Sequence, residues 1–203
     1  MIDTLIFDFG NVFINLDIEN GFKESLKTLG ISLISEDIIA TNELYETGFI
    51  TTDEFITFYA EKFPYLNRNQ LVDLWNIILK DFPKHRLEFL KDLKSSGNYR
   101  LILLSNTNEL HIEWIKANIS FYEEFKSYFD AFYLSHEINL RKPNRDIFEF
   151  VLNQQNAKPE QCFFIDDNAN NIKTAKQLNI NTWHIIPYKE DVINLFSTQK
   201  HHF

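Results

Sequence analysis

With 203 residues, 44% apolar side chains, twenty Phe and three Trp but only five Gly and five Pro, the chain can bury a sizeable core and is not low-complexity or loop-dominated. It is long for one domain and short for two, which predicts one core carrying a modest insertion. A formal charge of -9 leaves no basic footprint for nucleic acid or an anionic membrane, no apolar run reaches spanning length, and the lone Cys162 excludes an intrachain disulfide.

The first element is the apolar run Thr4-Leu5-Ile6-Phe7-Asp8-Phe9, a buried strand that ends in an acid and a glycine. From about residue 16 to 84 the pattern changes to four helical stretches without a convincing buried strand. The third of these opens with Thr51 and Glu54 spaced as a capping box, followed by Phe55, Phe58 and Tyr59 on one face. The fourth runs near Asn69 to Leu79, with Leu71, Leu74, Trp75 and Ile78 at helical spacing, and these aromatic stripes are read as packing between helices. Strand-like runs then alternate with helices: Arg86 to Lys94, the strand Arg100–Leu104, Glu109 to Asn118, the weaker strand Ala131–Leu134, Arg145 to Gln154, the strand Gln161–Ile165, Asn170 to Leu178, and the strand Thr182–Ile186. Alternation of this kind predicts parallel βαβ units. The expected fold is therefore α/β, a doubly wound parallel-sheet, Rossmann-like core (1–15 and 85–203) with an inserted helical cap (16–84). Lys200-His201-His202-Phe203 is expected to fray.

Parallel sheets bind ligands at the carboxyl ends of their strands, so polar residues there carry the chemistry. Asp8 follows the first strand, Ser105-Asn106-Thr107-Asn108 the second, Arg141-Lys142-Pro143 lies after the weaker one, and Asp166-Asp167-Asn168 follows the fourth. Singly, each is an ordinary turn or helix cap. Four in one pattern would gather three carboxylates, a hydroxyl, an amide and an ammonium in one crevice. Carboxylates so placed repel unless a cation joins them, and an all-oxygen set suits Mg²⁺ rather than Zn²⁺.

The segments Phe7-Asp8-Phe9-Gly10-Asn11-Val12, Leu104-Ser105-Asn106-Thr107-Asn108, Arg141-Lys142-Pro143 and Phe164-Ile165-Asp166-Asp167-Asn168 resemble the four ordered motifs of haloacid dehalogenase-like hydrolases, with detail similar to the bacterial glucose-1-phosphate phosphatase-like branch. The resemblance implies a phosphoric monoester phosphatase acting on a small phosphorylated metabolite through an aspartyl-phosphate, with Mg²⁺ as cofactor. It implies Asp8 as nucleophile and metal ligand, the Gly10 backbone carbonyl and Asp167 as further ligands, and Asp166 acting on the metal directly or through a water. Ser105 and Asn106 would bind a phosphate oxygen at a helix start, Lys142 would neutralise the transferring group, and Asn171 would brace the loop.

Many relatives carry a second aspartate, the general acid and base, two positions after the nucleophile; here that position is Gly10. Two other readings follow from that departure: metal-independent haloacid dehalogenase-type chemistry, against which Asp166-Asp167 argues, and a non-catalytic protein that binds a phosphorylated metabolite. Tyr45, Glu46, Thr47 and Gly48, at a turn between cap helices, are candidates for substrate selectivity. His111 and His136 are read as structural, Cys162 as an inert buried thiol and Trp183 as core. A cytoplasmic setting and no membrane or nucleic-acid partner complete the expectations; a monomer is compatible with the sequence, which does not fix the oligomeric state.

Overall fold

The computed structural model describes residues 1–203. Its first strand, β1 (Thr4–Phe7), is followed by four helices, α1 (Ile18–Thr28), α2 (Glu36–Glu46), α3 (Thr52–Lys62) and α4 (Arg68–Asn76). The chain then alternates through α5 (Lys84–Ser96), β2 (Arg100–Ser105), α6 (Glu109–Asn118), α7 (Tyr122–Ser127), β3 (Ala131–Leu134), α8 (Ser135–Ile138) and α9 (Arg145–Gln154). It closes with β4 (Cys162–Asp166), α10 (Ala169–Gln177), β5 (Asn181–His184) and α11 (Leu195–Thr198).

The five strands form one parallel sheet in the order β3-β2-β1-β4-β5. Every residue of β1 is buried because both its neighbours and both its faces are covered. Leu5, Phe7, Leu101, Leu103, Phe163 and Ile165 point to one face, against Leu87, Leu90 and Leu93 of α5 and Ile112 and Ile115 of α6. Ile6, Ile102, Leu104 and Phe164 point to the other, against Phe148 and Val151 of α9 and Ile172 and Ala175 of α10. Such continuous apolar runs are what a strand buried on two faces requires. Helices on both faces make the core the doubly wound α/β arrangement expected.

β1 is also where the chain reverses direction across the sheet, since β2 and β3 lie on one side and β4 and β5 on the other. Register aligns Phe7 with Leu103 and with Ile165, so Asp8, Ser105 and Asp166 leave the sheet at one edge. A crevice at such a switch point is the usual ligand position of the architecture.

The four-helix insertion has its own apolar cluster, including Leu29, Ile38, Tyr45, Phe55, Ile56, Tyr59, Phe63 and Leu71. Tyr45 stacks on Phe55 with centroids 4.1 Å apart. The capping box at Thr51 and Glu54 is formed, and Asn67 and Gln70 make a second one that starts α4. α4 ends at Asn76, earlier than the sequence spacing suggested, and Leu79 instead pairs with Leu16 where the chain enters and leaves the insertion.

The expectation of a frayed C-terminus is corrected. Phe203 packs on Tyr99, Phe163 and Phe196, with centroids 5.9, 5.2 and 4.8 Å away, because burying an aromatic ring outweighs the freedom of a short tail. The short helices α7 and α8 have no counterpart in the sequence reading. No helix is long and apolar enough to cross a membrane.

Candidate active site

The loop after β1 is held by aromatic anchors on either side of Gly10. Phe9 stacks on Phe125 at 5.1 Å and Phe13 meets the same ring edge-on at 5.0 Å, both fixed in the main core. Arg86, itself buried, donates to the Phe13 carbonyl at 3.1 Å and the Asn15 side chain at 2.9 Å. Between the anchors Asn11 adopts the left-handed region at φ 55°, which asparagine tolerates better than most residues. Its amide donates to Asp167 Oδ2 at 2.8 Å while its oxygen accepts from the Leu16 N–H at 3.0 Å.

Carboxylate oxygens of Asp8, Asp166 and Asp167 lie within 4.8 Å of one another. Lys142 is almost wholly enclosed, and its Nζ donates to Asp8 Oδ1 and to Asp166 Oδ2, each at 2.7 Å. Asn171 holds both Asp166 oxygens, at 3.1 and 3.0 Å, and the Asn168 N–H adds a third bond at 2.7 Å. Asp166 is therefore saturated by protein donors, whereas Asp167 is partly exposed and bonded through Asn11.

The electrostatics follow from this burial. Loss of water pushes the Asp8 carboxyl up to about 7, with Lys142 opposing the rise and Asp166 and Asp167 adding to it. Burial also raises Asp167, against the Asn11 hydrogen bond. Burial alone would lower the Lys142 ammonium, but Asp166 and Asp8 outweigh it and hold the group above its ordinary value. Three buried or half-buried carboxylates around one ammonium leave an excess of negative charge, which a divalent cation would neutralise. All-oxygen donors fit Mg²⁺.

Ser105 ends β2, buried, and the segment after it leads into α6, whose N-cap is Asn108. The Asn106 side chain clamps the main chain of Lys142, donating to its carbonyl at 2.7 Å and accepting from its N–H at 2.9 Å. Its amide is thus a brace for the lysine loop rather than a free donor. Gly10 has ordinary backbone geometry, but a β-carbon there would lie 2.6 Å from the terminal methyl of Leu16. The place of the second aspartate is covered by a leucine.

Of the selectivity candidates, Tyr45 spends its hydroxyl on Thr52 and the Leu110 N–H, and Thr47 returns its hydroxyl to the Glu43 carbonyl. Gly48, at φ 69°, lies so close to α8 that a β-carbon would fall 2.0 Å from the His136 carbonyl oxygen. Tyr45 and Gly48 dock the insertion on the core, and the Thr47 carbonyl joins them by accepting from the Asn139 side chain at 2.8 Å. Glu46 keeps a carboxylate beside Arg141 Nη2 at 3.1 Å, while Arg141 Nη1 reaches Glu43 at 2.6 Å. A second docking point joins α4 to α6: Trp75 donates to Asn108 at 3.1 Å, and His111 stacks on the indole and bonds the Trp75 carbonyl at 3.1 Å. Burial pulls His111 down to about 4, as a neutral structural ring requires.

Sequence reasoning singled out Asp8, Ser105, Lys142, Asp166, Asp167 and Asn171; short distances and hydrogen bonds join all of them but Ser105, which ends β2 at the same edge of the sheet. It missed the bridging of Asn11, the clamp of Arg86 and the docking of Arg141. An asparagine between two phenylalanines in a glycine-containing loop was the one available signal, because a left-handed turn was to be expected there.

A family model described as haloacid dehalogenase-like hydrolase matches residues 2–179. The chain is 28% identical over 199 residues to the D-ribitol-5-phosphate phosphatase of Bacteroides thetaiotaomicron, covering 90% of this chain and 91% of that one. Among solved structures it is similar to a magnesium complex of a HAD family enzyme from Bacteroides thetaiotaomicron, at 36% identity and a TM-score of 0.84 over 96% of this chain and 98% of that one. A predicted HAD-like family hydrolase of Porphyromonas gingivalis superposes with a TM-score of 0.80 at 27% identity, over 99% and 97% of the two chains.

Proposed function

Because the chain belongs to the haloacid dehalogenase-like hydrolases, we propose that it is a magnesium-dependent phosphatase of a small sugar or polyol phosphate, working through an aspartyl-phosphate on Asp8. The observation that carries the reading is the Lys142 ammonium held 2.7 Å from both Asp8 and Asp166, with Asp167 completing a carboxylate triad. The magnesium complex and the named phosphatase among similar proteins support it.

Asp8, Asp167 and the Gly10 carbonyl would hold the metal, with Asp166 close behind; when bound, Mg²⁺ supplies charge neutralisation that lets a phosphate approach three carboxylates. A free oxygen of Asp8 attacks phosphorus, a P–O bond to Asp8 forms, and the bond to the leaving oxygen breaks. That oxygen takes its proton from water or from the substrate, since Gly10 has no side chain to donate one. Water then attacks the acyl phosphate, releasing phosphate and regenerating the carboxylate. Lys142 balances charge on the transferring group throughout, and Ser105 with the N–H groups that follow it binds a phosphate oxygen.

The insertion, residues 16–84, acts as a cap over the core formed by 1–15 and 85–203. Every group in this mechanism comes from one chain, so a monomer suffices. The lone Cys162 is buried and pushed up to about 12, mainly by burial, so it is inert in a reducing cytoplasm.

The test is a panel of phosphate esters assayed with and without Mg²⁺, repeated with Asp8→Asn. Turnover should require the metal and fall by at least about 10³-fold in the variant, which keeps the shape of the side chain but cannot attack. Turnover that survives chelation would refute the magnesium requirement, and normal turnover by folded Asp8→Asn would refute the nucleophile.

A further inference from the structure

The two carboxylates that would hold the metal each have one oxygen tied to a protein donor. Asp8 Oδ1 accepts from Lys142 at 2.7 Å, and Asp167 Oδ2 accepts from the Asn11 amide at 2.8 Å. Asn11 is the one side chain that bonds the Asp167 carboxylate. His184 Nε2, at 2.9 Å, meets the Asp167 carbonyl and so holds only the main chain.

The other end of the Asn11 amide reaches the insertion. Its oxygen accepts from the Leu16 N–H at 3.0 Å, and Leu16 is where the entering chain pairs with Leu79 of the leaving chain. On either side, Asn15 and Asp17 donate their N–H groups to the carbonyls of Asp81 and Ile78, both at 2.9 Å. Of three consecutive N–H groups the middle one therefore faces away from the pair, toward Asn11. A backbone N–H can only donate, so the amide oxygen must face Leu16 and the NH₂ must face the carboxylate. Asn11 is only 8% exposed, sits at φ 55°, and gives its own N–H to the Ile14 carbonyl at 2.7 Å, which fixes the side chain from its root. Glycine would serve a left-handed turn as well, but it has no amide.

Resting on the phosphatase reading, in which Asp167 is a metal ligand, we propose that Asn11 is a positioning residue for the metal. Its amide sets the Asp167 carboxylate to receive Mg²⁺ and links it to the segment entering the insertion, so that metal binding steadies that segment on the core. A donor on one oxygen of a ligating carboxylate stops the group from turning, so the other oxygen meets the ion already ordered. A cation on Asp167 stiffens the same chain of bonds through the amide to the Leu16 N–H. By linkage, metal and ordered segment favour each other equally.

Asn11→Gly and Asn11→Ala separate this role from a purely structural one. Glycine keeps the left-handed turn and lacks the amide; alanine lacks the amide and strains the turn. Mg²⁺ alone, titrated calorimetrically into each intact protein, should bind both variants about 10- to 100-fold more weakly than wild type. If Asn11 serves only the turn, Asn11→Gly will bind Mg²⁺ as wild type does, which overturns the proposal. Should Asn11→Ala fail to fold, Asn11→Gly decides alone, since glycine accepts the backbone conformation. Hydrogen exchange reads the link to the insertion. Saturating Mg²⁺ should slow exchange of the Leu16 and Asp17 amides by about threefold or more in wild type and leave them unchanged in Asn11→Gly. Slowing of equal size in both proteins would overturn the link. Either failure leaves the phosphatase reading intact, whereas wild-type protein that does not bind Mg²⁺ would overturn the metal assignment and that reading with it.

Discussion

Gly10→Asp is the substitution that most directly probes how this site manages without a second aspartate. Gly10 lies outside the left-handed region, so the backbone accepts a side chain. The obstacle is Leu16, whose Cδ1 lies 2.6 Å from the new β-carbon and must move aside. Leu16 is half-buried and its backbone is tethered to Asn11 and Tyr188, so only the end of the side chain can give way. Overpacking of this kind costs about 1–3 kcal/mol, which for a chain of this size lowers Tm by roughly 3–10 °C. Leu16→Ala removes the obstructing methyls, so in the double variant the two substitutions should couple favourably by about 1–2 kcal/mol in a thermal or urea double-mutant cycle. With the carboxyl accommodated, proton donation to the leaving oxygen becomes available, an effect worth about 10²- to 10⁴-fold where departure is difficult. The double variant should therefore gain most on simple alkyl phosphates and least on aryl phosphates, flattening log kcat/KM against leaving-group pKa. Additive stabilities would refute the steric account. An equally steep plot, with metal affinity preserved, would show that water or the substrate already handles the proton.

Mg²⁺ affinity should depend on pH because Asp8, pushed up to about 7 chiefly by burial, must lose its proton to bind the ion. The apparent Kd should rise as pH falls below about 7, approaching tenfold per unit, and flat calorimetric titrations between pH 6 and 8 would contradict it. Lys142→Met strands Asp8 and Asp166 without their cation and should cost about 3–5 kcal/mol in metal-free protein, part of which Mg²⁺ restores; an unchanged urea midpoint would refute the buried pairing. His111 is lowered to about 4 by burial while its unfolded counterpart titrates near 6.5, so the unfolded state binds the extra proton between those values. Its stabilising contribution is thus complete above about pH 6.5 and declines as pH falls toward 4, by up to about 3 kcal/mol, and His111→Gln should remove that part of the stability–pH slope.

Much of the site was legible in the sequence because a buried parallel strand has an unmistakable signature: three or four apolar residues that end in a polar one. Asp8, Ser105 and Asp166 each close such a run, and helical periodicity between runs requires parallel connections, which put all three at one edge. Lys142 was legible only as part of an ordered set, since its strand is short and half-buried. The sequence alone could not say that Asn106 serves Lys142, that Tyr45 and Thr47 are spent on docking, or that Leu16 covers Gly10. Those are contacts between residues 36, 65 and 6 positions apart, set by how the insertion and the lysine loop close on the sheet. Local pattern determines which residues reach the carboxyl edge of a strand; which atoms then pair is decided by packing between segments whose separation in sequence carries no information about their distance in space.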